Sequence, residues 1–161
     1  MNNFETTYQE NYNKMFRFAQ KIVVNEDAVK DILQEVFIYY YQKLDNGHEI
    51  HNPKSWLLRA TINKCIDHTK RQKKLIKIDN INPIMVKEDI FEIHQTEMIV
   101  NQALDKLKPK EKALAILYSE GLPYLEISQL TDIKYSSVGK TISRTLKKLK
   151  IILKKLNYEM Y

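Results

Sequence analysis

Eight basic side chains follow one another between residues 134 and 158, and no acidic residue interrupts them. Such a stretch can neutralise the phosphates of nucleic acid, and each contact releases counterions that favour the complex. A solvated helical hairpin rich in lysine would carry the same charge, so charge alone leaves both possibilities open. The eight residues are Lys134, Lys140, Arg144, Lys147, Lys148, Lys150, Lys154 and Lys155.

The same segment has the apolar spacing of two helices around a turn. In LPYLEISQLTDIKYSSVGKTISRTLKKLK (residues 122–150) we predict a helix over 124–130, a turn at 131–133 and a second helix from Tyr135 to about Leu156. This is a helix-turn-helix, whose second helix can lie in the major groove of DNA. The apolar wedge between the helices would be Ile127, Leu130, Ile133, Val138 and Ile142. The side chains expected to face DNA are Tyr135, Ser136, Ser137, Gly139, Lys140, Ser143, Arg144 and Lys147.

Residue types that carry enzymatic or metal chemistry do not form a recognisable set. The histidines lack metal-ligand spacing, the single cysteine belongs to no recognisable catalytic motif, and no glycine-rich phosphate loop occurs. We therefore predict a protein that is not an enzyme and that needs no cofactor or metal. The residues concerned are His48, His51, His68, His94 and Cys65.

The elements that must position the basic face are helices. Only three glycines occur in 161 residues, and long stretches repeat apolar residues at helical spacing. Asn25 is placed to cap one helix, and Gly47 suits the left-handed position after its end. Besides the two helices of the helix-turn-helix, we predict helices over 4–24, 26–44, 54–75, 96–107 and 109–120.

Charge divides the chain into three parts. The net charge is +6, from 26 basic and 20 acidic side chains, yet residues 76–97 hold five acidic and only two basic ones. Two basic blocks around an acidic one predict two small all-α domains joined by a linker, the C-terminal domain being the helix-turn-helix. We place the domains at 1–75 and 96–161 and the linker at 76–95, with a short helical turn near 89–93.

The absence of paired cysteines and of long apolar segments indicates the compartment in which the protein acts. A single cysteine excludes an internal disulfide and is typical of a reducing environment. The first residues, MNNFETTYQENYNK, have no apolar signal-peptide core, and no apolar run is long enough to span a membrane. We expect a soluble, cytoplasmic protein without direct membrane insertion.

The C-terminal motif resembles that of a known family. The stretch LDKLKPKEKALAILYSEGLPYLEIS and the helix-turn-helix after it are similar to the C-terminal promoter-binding domain of bacterial RNA polymerase sigma factors. The family pattern Gly-Leu-x-Tyr-x-Glu-Ile-Ala is matched by Gly121, Leu122, Tyr124, Glu126 and Ile127, with Ser128 in the small-residue position.

The N-terminal half resembles the same family independently. DILQEVFIYYYQKL is similar to the polymerase-binding helix, with Asp31, Gln34, Glu35 and Phe37 at the family positions. PKSWLLRATINKCIDHTKR is similar to the promoter-melting segment that follows, with Trp56, Leu57, Arg59, Asn63, Asp67 and Arg71 in matching places. Two motifs in the right order are more specific than either alone, and the small size with only two modules is similar to the extracytoplasmic-function group of the sigma-70 family.

The resemblance implies a specificity subunit of RNA polymerase, and it implies a role for each motif. Asp31, Gln34, Glu35 and Phe37 would bind core polymerase at the clamp helices of the β′ subunit, and a further contact would involve the β flap. The side chains that would meet the −10 promoter element are Trp56, Arg59, Asn63, Lys64, Asp67, Lys70 and Arg71. The helix-turn-helix residues given above would read the −35 element, and an anti-sigma factor is a further expected partner.

The residue chemistry leaves alternatives beside these roles. Asp31, Gln34 and Glu35 share one helix face, which suits a positively charged partner helix but also a merely solubilising surface. Trp56 can stack on an unpaired base or be a plain core residue. Gly139 stands where the family often has lysine or arginine, so the −35 sequence should differ from the usual one. The alternative function is a helix-turn-helix regulator that binds DNA without acting as a polymerase subunit.

Overall fold

A computed structural model describes residues 3–79 and 92–156, and these form helices joined by short turns. No strand occurs in those two ranges, so the predicted all-α class is confirmed. The chain divides into two compact units, Met1–Arg71 and Gln72–Tyr161. The helices are α1 (Asn3–Ile22), α2 (Glu26–Asp45), α3 (Pro53–Asp79), α4 (Glu92–Asp105), α5 (Pro109–Ser119), α6 (Tyr124–Thr131) and α7 (Tyr135–Lys155).

The first unit is built on the packing of α1 against α2. On α1 the side chains of Met15, Ala19 and Ile22 are buried, but Tyr8 is 39% exposed. The buried stripe instead continues from Met15 through Asn11 and Thr7, whose side chains donate hydrogen bonds to carbonyls of their own helix. Tyr8 lies beside this stripe and packs edge-on against the ring of Phe37. The core of the unit also contains Val29, Leu33, Val36, Tyr40, Leu57, Ile62 and Cys65.

The start of α2 is fixed by the predicted cap. The Asn25 side-chain oxygen accepts a hydrogen bond of 3.0 Å from the backbone N–H of Ala28, and this satisfies one of the free donors of the first turn. At the other end Gly47 has φ +78°, the left-handed backbone that follows many helices.

Replacing Asn25 by alanine should destabilise the first unit by about 1 kcal/mol, because the Ala28 N–H loses its acceptor. Asn25→Gly is the matched comparison and should cost only a few tenths of a kcal/mol. Urea unfolding of the full chain, followed by circular dichroism, measures both. Equal stability of the alanine variant and the wild type would contradict the capping role.

The segment predicted as a linker is partly helical. Residues 76–79 continue α3, and residues 92–95 form the first turn of α4. The prediction ended α3 too early because it followed the change in charge, whereas the sequence Ile-Lys-Ile-Asp contains no proline or glycine that would stop a helix. The helical turn predicted near 89–93 falls mainly outside the described ranges.

The second unit packs α4, α5 and α6 around α7. Its largest fully buried side chains are Leu107, Leu114, Leu117, Ile127 and Val138. Pro109 opens α5 as predicted, since a missing N–H costs nothing at a first helical position.

Two ion pairs join these helices. Glu111 on α5 accepts hydrogen bonds from the Lys148 ammonium on α7 and from the Lys108 backbone, each 2.9 Å long. Partial burial acts to raise the pKa of Glu111, but these hydrogen bonds outweigh it and hold the pKa below its ordinary value. The Glu111 contribution to stability is therefore complete at neutral pH and is lost as the pH falls through the lowered pKa.

The second pair contains a buried lysine. Lys112 has a side chain only 5% exposed, and its Nζ lies 2.6 Å from Oδ1 of Asp105. A buried ammonium is costly unless a carboxylate or another acceptor compensates it.

Asp105→Ala should therefore destabilise the second unit by roughly 1–3 kcal/mol, less than the loss of a fully buried pair because Asp105 itself is half exposed. The double variant Asp105→Ala/Lys112→Met removes the buried charge as well and should recover part of that stability. Urea unfolding of the full chain compares the three proteins. A double variant less stable than the single one would show that other contacts of Lys112 compensate the cost of burying its ammonium group.

Candidate functional site

The exposed side of α2 carries most of the predicted polymerase-binding residues. Asp31, Gln34 and Glu35 are all exposed and lie on one face. Phe37 does not belong to this face, which corrects its predicted role as a contact: its side chain is only 3% exposed. Its ring packs 4.8 Å from that of Tyr8, on the side of α2 that faces α1. Phe37 can support the face but cannot touch a partner directly.

Two exposed apolar residues extend this face. They were not predicted as part of it from the sequence. Ile38 and Tyr41 are 49% and 47% exposed, and they follow Asp31 by two and three helical turns. The signal was present in the run VFIYYY (residues 36–41), because six consecutive apolar residues are more than one side of a helix can bury. The face therefore combines an acidic, polar end with an apolar end.

A groove of about 280 Å³ lies between α2 and α3. Five of the seven residues predicted to meet the −10 element line it together, namely Trp56, Arg59, Asn63, Lys64 and Asp67. Apart from the adjacent Asn63 and Lys64, neighbouring members are three or four residues apart, which puts them on one side of α3. The α2 side is formed by Val36 and Tyr39, which sequence reasoning had not associated with this site.

Trp56 packs against the core and also lines the groove. It is half-buried, and its ring centroid lies 5.5 Å from that of the fully buried Tyr40. It also lines the groove, 5.6 Å from the ring of Tyr39, which is itself exposed. The Lys43 ammonium sits 5.2 Å from the Tyr39 ring centroid, a cation–π distance. Aromatic surface beside basic groups is the combination that binds unpaired bases.

Lys64 connects the groove to the exposed face of α2. Its Nζ lies 2.8 Å from Oε2 of Glu35, although the sequence analysis gave these residues different partners. Both side chains are substantially exposed, so the pair contributes at most about 1 kcal/mol to stability. Either residue can therefore exchange this contact for one with a charged partner at little cost to the fold.

The remaining two residues of the predicted −10 set lie outside the groove. Lys70 and Arg71 are exposed one to two turns further along α3. Between them and the groove, burial and the nearby Arg71 lower the pKa of His68, so this imidazole is neutral at pH 7. The positive charge at this end of α3 thus comes from lysine and arginine alone.

The second unit contains the predicted helix-turn-helix in α6 and α7, with the turn one residue later than expected. Thr131 still belongs to α6, where its hydroxyl donates to the carbonyl of Ile127, and Asp132 takes the left-handed backbone at φ 59°. The Ser128 hydroxyl then donates a 2.7 Å hydrogen bond to the Ile133 carbonyl and closes the turn. Of the predicted wedge, Ile127, Leu130, Val138 and Ile142 are buried and Ile133 is half-buried.

The predicted −35 face of α7 is open to solvent along most of its length. Its exposed members are Tyr135, Ser136, Ser137, Lys140, Ser143, Arg144 and Lys147. Gly139 is partly covered, because a Cβ atom built on it would lie 3.3 Å from Cε2 of Tyr124. Lys134 is the N-cap residue of α7, and its side chain makes no capping hydrogen bond.

Within residues 3–79 and 92–156, no group of three or more histidine, cysteine, aspartate or glutamate side chains is arranged to hold a metal ion. Over the same ranges, none of the helices is both long and apolar enough to cross a membrane.

Comparison with known proteins identifies both halves. The family model for Sigma-70 region 2 matches residues 7–75, and that for Sigma-70, region 4 matches residues 97–149. RNA polymerase sigma factor SigV of Bacillus subtilis is 30% identical over 144 residues, which cover 87% of this chain and 84% of the relative. ECF RNA polymerase sigma factor SigE of Mycolicibacterium smegmatis is 25% identical over 171 residues, covering 99% of this chain and 65% of the relative.

The fold is also that of a solved sigma factor. In the co-crystal structure of RpoE with the anti-sigma factor NepR from Bartonella quintana, the matched chain superposes with a TM-score of 0.66 at 16% identity, covering 96% of this chain and 98% of that one. A regulator that shares only the helix-turn-helix would not account for the match over residues 7–75. The chain therefore belongs to the sigma-70 family and is an RNA polymerase sigma factor of the extracytoplasmic-function group.

Proposed function

We propose that this sigma factor directs core RNA polymerase to promoters through three separate surfaces. The exposed face of α2, with Asp31, Gln34 and Glu35 extended by Ile38 and Tyr41, binds the clamp helices of the β′ subunit. The groove at Trp56 receives a base of the −10 element. The exposed face of α7 reads the −35 element, and the second unit also contacts the β flap. We place this transcription initiation in the cytoplasm, where the polymerase acts.

The observation that carries the −10 role is the grouping of five predicted residues around one groove. Two aromatic rings, Trp56 and Tyr39, offer stacking surface there. Asn63 is exposed on the groove wall and carries both a donor and an acceptor for a base edge. The cost of unstacking a base is a few kcal/mol, which stacking and edge hydrogen bonds together can offset. Lys64, Lys70 and Arg71 supply charge for the neighbouring phosphates.

The direct test is run-off transcription with purified protein and bacterial core polymerase on a library of genomic fragments. We expect discrete transcripts from a small set of fragments, with a shared sequence motif at two upstream positions. Core polymerase alone, with the same library, is the control for initiation at fragment ends. Transcripts that are identical with and without the protein would contradict the proposal.

We further propose that an anti-sigma factor restrains the chain. The support is the solved fold described above, in which a sigma factor of similar architecture is bound to such a protein. Affinity purification of the chain from its host should then recover a second, non-polymerase protein in a one-to-one complex that core polymerase displaces. Recovery of polymerase subunits alone would count against this partner.

A further inference from the structure

A second groove, of about 330 Å³, opens on one flank of α7. Tyr118 at the end of α5 and Tyr124 at the start of α6 line it together with α7, and both tyrosines are 42% exposed. On α7 it is lined by Gly139, Ile142, Ser143, Leu146, Lys147 and Lys150. The surface is thus aromatic and aliphatic, and its lining side chains carry three hydroxyl groups, two of them phenolic, and two ammonium groups.

Gly139 is the residue that keeps this groove open. Its φ does not lie in the positive range, so the backbone does not require glycine at this position, and glycine inside a helix costs about 1 kcal/mol relative to alanine. What glycine provides here is space, since the Tyr124 ring lies 3.3 Å from where a Cβ would be. Any longer side chain at 139 would displace the ring or fill the groove.

The groove lies on the face that the proposed function assigns to DNA. Gly139, Ser143 and Lys147 are spaced by four residues and belong to the proposed −35 face. Lys147 and Lys150 carry the positive charge that DNA phosphates require, within a helix segment that has no acidic residue. These charges favour a DNA duplex as the occupant of this groove, with the two lysines against its backbone.

Among the groups that base pairs expose in the major groove, only the thymine C5-methyl is apolar. An aromatic and aliphatic groove matches that group, position 139 provides no arginine or lysine for guanine, and the two lysines of the lining are assigned to phosphates. Resting on the proposed −35 role of α7, we propose that Tyr124 and Gly139 form a thymine-methyl site, which makes Tyr124 a specificity-determining residue outside the recognition helix.

The test uses holoenzyme assembled from the full chain and core polymerase. A random duplex pool first gives the preferred upstream sequence, and each thymine of that sequence is then replaced singly by deoxyuridine, which lacks only the methyl group. At one or two adjacent thymines we expect about fourfold weaker binding, the effect of one apolar carbon losing its burial. Tyr124→Ala should bind thymine and deoxyuridine equally there, whereas Tyr124→Phe should keep the difference.

Gly139→Arg provides a second, independent variant. It should abolish the deoxyuridine effect at the same position and shift the preference there toward guanine, because arginine pairs with guanine through two hydrogen bonds. Lys154→Ala, on the exposed C-terminal part of α7, is the matched control and should leave the effect unchanged. Urea unfolding of each full-length variant, followed by circular dichroism, verifies that the second unit is folded.

The outcomes distinguish a failure of the thymine-methyl site from a failure of the −35 role of α7. If holoenzyme selects an upstream sequence but no deoxyuridine effect disappears in Tyr124→Ala, the methyl site is wrong and the −35 role stands. If holoenzyme selects no upstream sequence, the −35 role of α7 fails and the methyl site fails with it.

Discussion

Reversing charge on the exposed face of α2, with Gln34→Lys/Glu35→Lys, should weaken binding to core RNA polymerase by at least about 100-fold. The expected partner surface is positively charged, and like charges brought together at an interface cost several kcal/mol. Both residues are exposed, and the only described contact of Glu35 is an exposed pair with Lys64 worth at most about 1 kcal/mol, so the fold should survive. Co-elution of protein and core polymerase on a sizing column measures the effect.

The matched control is Gln9→Lys/Glu10→Lys, which makes the same change of charge on exposed positions of α1. This control should co-elute with core polymerase like the wild type, and both variants should keep the wild-type midpoint in urea unfolding. If the α2 variant co-elutes undiminished, the exposed face of α2 is only a solubilising surface. If both variants lose binding equally, net charge rather than this face determines the association.

The sequence predicted which side of the helix these residues occupy better than it predicted their burial. Spacing of three and four residues was enough to put Asp31, Gln34 and Glu35 on one side of α2. Phe37 shared the motif but proved to be buried, because depth depends on where α1 crosses α2. Motif matching carries no information about that crossing, and tertiary packing decides it.

The same limit applies to the groove at Trp56. Its α3 side could be predicted, since the residues of one helix face are fixed by helical periodicity. Tyr39 and Val36 on the α2 side could not, because they enter through contacts between residues far apart in the sequence. The Glu35–Lys64 pair, separated by 29 positions, belongs to the same class. The extension of α3 to Asp79 was a different error, in which a charge boundary was mistaken for a helix boundary.

Replacing Trp56 by leucine should reduce open-complex formation by roughly 5- to 150-fold, which corresponds to the loss of one base–aromatic stack of about 1–3 kcal/mol. Leucine keeps apolar packing against Tyr40, so binding to core polymerase should remain unchanged. Trp56→Phe retains an aromatic face and should lose less. Permanganate reactivity of unpaired thymines near the start site measures open complexes directly, and co-elution with core polymerase measures assembly.

A series of promoters, each with an abasic site at a different position of the −10 element, distinguishes base stacking by Trp56 from core packing by Trp56. If Trp56 stacks on an extruded base, one abasic position should weaken wild-type holoenzyme as much as Trp56→Leu does, and it should have little further effect on that variant. Non-additivity of this kind is the signature of a direct contact, because the variant has already lost what the missing base would provide. If the two changes add at every position, Trp56 acts only through the core, and Tyr39 becomes the remaining aromatic surface of the groove that could hold a base.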